Sequence, residues 1–229
     1  MIRLDKLLAH AGYGTRLEVT KLIKSNQVTI NKKIATKGSI KVDLAQDIVA
    51  VNLQEVTYQK YTYLMLNKPA GHLCAKGNYQ YPTVFSLIKE EIRDLFIVGR
   101  LDVDTTGLLF LTNDGTFSHN LISGKKNVEK EYLVLLKEEF DLKFIKDIET
   151  EISLKKESFK PAQIFVDQPN QVRLIIKEGK YHQVKKMMQA CNNEVMALTR
   201  LRIGAVSLDK NLELGEYRHL TTEEVNLLQ

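Results

Sequence analysis

Apolar positions recur along this chain with two periods, and the change from one to the other marks its elements. Leu4, Leu7, Leu8 and Ala11 stand at helical spacing and stop at Gly12. Gly14-Thr15-Arg16 opens a second segment with Val19, Leu22 and Ile23 on one face. Val28-Thr29-Ile30 predicts a short strand running into a turn at Asn31-Lys32, and residues 48–51 predict another. Two helices and a small hairpin with so few apolar anchors make a module of roughly 55 residues, close to the lower limit for independent folding. Residues 52–61 are polar and lack a helical period, which predicts a linker. The expected boundaries are a first domain over 1–57, a linker over 58–61 and a second domain over 62–229.

The second region begins with a predicted strand over 61–66 that stops at Asn67-Lys68-Pro69-Ala70-Gly71. A helix is predicted from Pro82 to Ile92, with Val84, Leu87, Ile88 and Ile92 on one face. Strands are predicted at 96–98, 108–111, 130–136, 162–166, 172–176, 195–202 and 205–208. Helices are predicted at 115–122, 141–148 and 180–191, and Thr221-Thr222-Glu223-Glu224 carries a capping-box signature before a terminal helix. Strands interrupted irregularly by helices, with hairpin-length gaps, indicate an α+β chain rather than a βαβ repeat.

Composition narrows the class. The 229 residues are 44% hydrophobic and 27% charged, ordinary for a globular protein. No apolar run approaches the roughly 18 residues needed to cross a bilayer, and the first residues lack the apolar core of a signal peptide. Cys74 and Cys191 offer neither a disulfide framework nor zinc-ligand spacing, so the expected compartment is the cytoplasm. The net charge of +5 is concentrated: residues 1–57 hold nine Lys/Arg against five Asp/Glu, and residues 177–202 hold six against two. Two basic regions in an otherwise slightly acidic chain suit a phosphate backbone as partner.

Between the predicted strands at 96–98 and 108–111 lies Gly99-Arg100-Leu101-Asp102-Val103-Asp104-Thr105-Thr106-Gly107. A charged loop pinned between buried strands carries either a structural ion pair or chemistry. The plain structural reading pairs Arg100 with Asp102 or Asp104. The loop is not a phosphate-binding P-loop, because Gly-Lys-Ser/Thr does not follow its second glycine. The run from Gly99 to Asn113-Asp114-Gly115 resembles the catalytic-aspartate motif of the pseudouridine synthases, in the form of the RsuA branch that modifies small-subunit ribosomal RNA. Asn67-Lys68-Pro69-Ala70-Gly71, Lys130-Glu131-Tyr132, residues 178–187 and residues 195–204 also match that pattern. The first 57 residues resemble the S4 RNA-binding domain, although Ser25 and Lys32 stand where that family often has glycine.

The resemblance implies a fold: a small S4-like domain followed by a catalytic domain built on a mixed, largely antiparallel sheet flanked by helices. It implies isomerisation of a uridine to pseudouridine in 16S RNA, at the position its name gives as uridine 516, with the target base flipped out of its helix. Neither cofactor nor metal is implied. Asp102 becomes the nucleophile or proton acceptor, Lys185 its charge partner, and Tyr132 the stacking aromatic, although by composition alone Tyr132 reads as an ordinary strand aromatic packed in the core. Leu198, with Leu201 as the other choice, packs against that tyrosine. Arg100, Lys68, His182 and Lys186 become substrate contacts, and Arg3, Arg16, Lys21 and Lys24 the RNA-facing residues of the S4-like domain. The expected partner is ribosomal RNA within an assembling small-subunit particle, and the expected state a monomer. A large-subunit RNA target, a non-catalytic ribosome-assembly factor and an RNA-dependent hydrolase are the competing readings.

Overall fold

The structure is a computed structural model that describes residues 1–58, 60–77, 79–92, 94–123 and 126–229. The chain divides into two compact units, Met1–Tyr61 and Thr62–Gln229.

The first unit runs β1 (Ile2–Arg3), α1 (Leu4–His10), α2 (Arg16–Lys24), β2 (Val28–Ile30), β3 (Lys33–Ile34), β4 (Lys41–Val42), β5 (Val49–Val51) and β6 (Gln54–Glu55). Leu4, Leu7, Leu8, Val19, Ile23, Val28, Val42, Val49 and Val51 form its core. A reciprocal capping box starts α2: the Thr15 hydroxyl accepts from the Glu18 amide, and the Glu18 carboxylate accepts from the Thr15 amide. Asn31 and Lys32 both take positive φ, the requirement of a two-residue hairpin turn whose twist matches its strands. The Asn31 amide secures the turn by donating to Asp47 and accepting from the Ile48 amide. Lys32 therefore keeps the backbone that glycine favours, whereas Ser25 does not need it and Asn26 takes the left-handed position instead. The expected linker is shorter than its polarity suggests. Gln54 and Glu55 pair with β5, and Val56 and Tyr58 pack on the first core.

The second unit runs β7 (Tyr63–Lys68), β8 (Phe96–Val98), β9 (Thr106–Thr112), α3 (Gly115–Ile122), β10 (Lys130–Leu136), α4 (Ile145–Thr150), β11 (Ile152–Leu154), β12 (Glu157–Phe159), β13 (Gln163–Gln168), β14 (Gln171–Ile176), α5 (Gln183–Ala190), β15 (Val195–Ile203), β16 (Val206–Ser207), β17 (Tyr217–His219) and α6 (Thr222–Leu228). Among the described residues nine strands form one mixed sheet in the order β13-β14-β10-β15-β9-β7-β17, with β16 on β15 and β8 on β9. All pairings in it are antiparallel except β9 with β15. Alternate residues serve opposite faces. Leu64, Leu66, Leu109 and Leu111 join a core that includes Val184, Met187 and Met188 of α5. Met65, Leu108 and Phe110 join a second core with Phe117 and Leu121 of α3 and Leu228 of α6. Burial on both faces is why β7 and β9 read as unbroken apolar runs rather than alternating ones.

The helix predicted over 141–148 forms as a 3₁₀ turn, Leu142–Phe144, followed by α4, and three other predicted elements change. The strand predicted over 61–66 forms two residues later, because Asn67 and Lys68 still pair with Leu108 and Gly107 of β9. The helix predicted over 82–92 is a single 3₁₀ turn, Val84–Leu87. Its start is tied to Leu73, whose carbonyl accepts from the Val84 amide, and its end is drawn into extended backbone at Ile88, after which the Lys89 amide donates to the Tyr217 hydroxyl. The helix predicted over 180–191 is α5, which begins only at Gln183 because His182 stands at φ 52°.

The parallel join of β9 and β15 fixes one residue. Gly107 faces Arg200 at φ 97°, and a Cβ there would lie 2.3 Å from the Arg200 carbonyl oxygen and 2.8 Å from its nitrogen. Both the conformation and the space exclude a side chain. Gly107→Ala is expected to destabilise the second unit by about 2–4 kcal/mol, seen as a fall in melting temperature of roughly 5–15 °C.

Candidate active site

The loop between β8 and β9 is held by its backbone. Gly99 takes φ 71°, the Leu101 amide donates to Cys74 Sγ at 3.4 Å, the Thr105 amide closes a turn on the Asp102 carbonyl, and the Gly71 amide donates to the Val103 carbonyl. Beneath it lies Lys68, fully buried. Its Nζ donates to the carbonyls of Thr105 at 2.8 Å, Pro69 at 3.1 Å and Val103 at 3.2 Å. Three donors of an ammonium meet three acceptors. Burial pulls the Lys68 pKa below the usual lysine value, and the nearby Cys74, Asp104 and Asp102 oppose that. The expectation that Lys68 contacts substrate is corrected: its ammonium is spent inside the protein, on both sides of Asp104.

Across from this loop, α5 presents its first turn. The Gln183 side chain accepts from the Lys180 amide and donates to Glu178, whose carboxylate also accepts from the Lys160 amide. These bonds fix the approach to the helix. His182, in its left-handed conformation, is stacked by the Tyr181 ring, and its Nε2 lies 3.4 Å from Asp102 Oδ1. Lys185 Nζ lies 3.5 Å from Asp102 Oδ2 and bonds both Asp104 oxygens at 2.7 and 2.8 Å. The lysine is thus shared, with its shorter contacts to the aspartate outside the Arg-Leu-Asp core. Burial acts to raise the Asp104 carboxyl, and Lys185 outweighs it, holding the group below the usual carboxylate range.

Lys186, expected to contact substrate, is engaged elsewhere, as is Lys180. Lys186 Nζ pairs with Glu157 at 2.6 Å, and Lys180 Nζ donates to the Ser158 carbonyl. Arg100 is exposed at the rim and pairs with neither Asp102 nor Asp104 among the described residues, so the structural ion pair of the loop runs through Lys185 instead. In the first unit, Arg3 is bound by Asp5, while Arg16, Lys21 and Lys24 are exposed on α2.

Loop and helix enclose a cavity of about 140 Å³, with Asp102, His182 and Lys185 on one side. Tyr132 of β10 and Leu198 of β15, both buried, line it together with Ile176 and Val184; Leu201 is not among its lining residues. Three polar residues in the lining were not singled out by sequence: Lys130, Thr105 and Arg200. Arg200 Nε donates to the Leu108 carbonyl at 2.7 Å and Nη1 to the Tyr132 hydroxyl at 3.4 Å. Period two was the available signal, since Lys130 shares the face of Tyr132 and Arg200 that of Leu198.

The cavity brings an aromatic and an aliphatic residue together with one charge-paired carboxylate, in a space the size of a planar ring. Comparison with known proteins makes the class specific. Residues 62–190 match the RNA pseudouridylate synthase family, and residues 2–49 match the S4 domain. The chain belongs to the RNA pseudouridylate synthase family. It is 46% identical to an uncharacterized RNA pseudouridine synthase of Bacillus subtilis, over 99% of this chain and 98% of that one. It is 41% identical to ribosomal small subunit pseudouridine synthase A of Vibrio vulnificus, over 98% of each. A crystal structure of a pseudouridylate synthase superposes with a TM-score of 0.71 at 40% identity, covering 100% of both chains.

Lys68→Met is expected to lower stability by about 2–4 kcal/mol, because the Thr105 and Pro69 carbonyls lose their donor and the Val103 carbonyl keeps only the Gly71 amide, and to reduce turnover through the loosened loop. Denaturant unfolding with an unchanged slope checks the first effect, and unchanged stability would remove Lys68 as the clamp.

Proposed function

We propose that this chain converts one uridine of small-subunit ribosomal RNA to pseudouridine, with Asp102 carrying the chemistry at the sugar. The observation that supports it most is the position of Asp102. Its carboxylate sits between His182 and Lys185 on one side of a cavity whose other walls are Tyr132 and Leu198. The role of nucleophile or proton acceptor requires a carboxylate facing the base, and Lys185 Nζ stands 3.5 Å from Oδ2 of this one.

The reaction breaks the N1–C1′ bond of uridine, turns the uracil and rejoins it through C5. Nothing is oxidised and no group enters from outside, so no cofactor is called for. The cavity holds the detached base, with Tyr132 stacking on it and Leu198 opposite. Such a site is reached only by a nucleotide turned out of its helix, at a cost of about a few kcal/mol. Phosphate contacts from Arg16, Lys21 and Lys24 of the S4 unit, and from Arg100 at the rim, offset that cost. Binding therefore weakens steeply with salt. The small-subunit target, with uridine 516 as its position, is supported by the names of the relatives at about 40% identity. The enzyme acts as a monomer in the cytoplasm on an assembling particle.

A hydrolase needs a second acid in the cavity. Asp104, the nearest candidate, is held by both oxygens on Lys185, which disfavours that reading.

Pseudouridine mapping of ribosomal RNA from cells lacking the protein, rescued with wild type or Asp102→Asn, tests the proposal. One small-subunit uridine is expected to lose its mark and to regain it only with wild type. Restoration by Asp102→Asn would overturn the role of Asp102, and loss of a large-subunit mark instead would move the target.

A further inference from the structure

The inner end of the cavity holds more positive charge than its own structure uses. Arg200 is 4% exposed, and its Nη2 has no partner among the described residues, although Nε and Nη1 are bound. Lys130 is 9% exposed, lines the same cavity, and has no hydrogen bond or ion pair among the described residues. Thr105 Oγ1, also buried in this lining, has no partner among the described residues either. Acidic residues are close in sequence, but the pleat directs them elsewhere. Glu131 binds Arg202 and Arg173, and Glu129 binds Arg202 and Lys177. Burying two cations together without a carboxylate is costly unless an anion joins them.

We infer that Arg200, Lys130 and Thr105 form a receptor for negative charge on the detached uracil. The inference rests on the synthase reading of the same cavity. When the C1′–N1 bond breaks, its electron pair stays with the base, which becomes an anion delocalised over N1, O2 and O4. Asp102 meanwhile becomes neutral, by bonding C1′ or by taking a sugar proton. One negative charge thus leaves the Lys185–His182 side and appears on the Arg200–Lys130 side, and the total is unchanged. On rejoining, the pair forms the C5–C1′ bond, the C5 proton is lost, N1 takes one up, and Asp102 is again a carboxylate. Preorganised donors aimed at charge that exists only during reaction are the most effective form of electrostatic catalysis. A phosphate suits the place less well, since Tyr132, Leu198, Ile176 and Val184 wall it for a flat ring.

Calorimetric binding of two bases to the full chain tests this without RNA. 5-Nitrouracil is ionised near neutral pH, and uracil is neutral there. Wild type is expected to bind the nitro anion at least about tenfold more tightly than uracil, the equivalent of roughly 1.4 kcal/mol. Lys130→Gln removes no internal hydrogen bond among the described residues and is expected to erase most of that preference without lowering the melting temperature. Arg200→Lys, which keeps the charge without the planar fork, is expected to retain part of it. Equal affinities for the two bases, no binding of either, an undiminished preference in Lys130→Gln, or displacement of the anion by inorganic phosphate would each overturn the receptor. Failure here alongside a lost and rescued small-subunit mark removes only the receptor. A measured preference without any change in the RNA map leaves the receptor and removes the synthase reading.

Discussion

The ammonium of Lys68 and the three carbonyls that surround it set the terms for everything near Asp102. A seven-residue loop with Leu101 as its one buried apolar anchor has little apolar surface with which to hold itself against a sheet. Here its backbone is fastened from below by a cation whose donors match the available acceptors one for one. Two of those acceptors, Val103 and Thr105, lie on either side of Asp104, so the turn that displays both carboxylates cannot shift without breaking the set. The lysine reaches this place because β7 continues two residues past its apolar run and pairs Lys68 with Gly107. Gly107 in turn is where the parallel strands come closest. Sheet, glycine, lysine and loop are therefore one mechanical unit.

The same sheet sorts charge. β10 and β15 send Tyr132, Leu198 and Arg200 to one face, while Glu131 and Arg202 pair on the other with Arg173, Asp167 and Glu129. The outer face is a network of exchanged opposite charges, wet enough that each pair adds little to stability. The inner face keeps Arg200 and Lys130, which have no acidic partner among the described residues. Alternation along β10, together with the register shift in β15 that turns Arg202 away from the face of Arg200, here separates balanced from unbalanced charge.

Much of this was legible in the chain. Strands β8, β9 and β10, helix α3 and the terminal capping box follow directly from apolar periodicity and turn residues, because local pattern and tertiary environment agree there. The aspartate loop was legible as a charged insertion between buried strands. The roles of the lysines were not. Lys68, Lys185 and Lys186 look alike as letters, yet one is sealed under a loop, one is shared by two aspartates and one is committed to Glu157. Their partners lie 17 or more residues away in most cases, and no spacing rule reaches that far. The failed helix over 82–92 teaches the same lesson from the other side, since its apolar spacing was sound and a tether to Leu73 overrode it.

Sharing Lys185 between two carboxylates has an evolutionary consequence. An enzyme whose catalytic aspartate is the sole partner of a buried cation cannot lose that aspartate without stranding the charge. Here Asp104 would keep Lys185 neutralised by both its oxygens, and the Asp102 carboxylate itself carries none of the backbone bonds that shape the loop. With Asp102 in its proposed role, drift there would silence the chemistry and spare the scaffold, whereas drift at Lys68 would loosen both. Descendants of such a chain have an easy path to inactive proteins that still bind nucleic acid, and the path runs through a single codon.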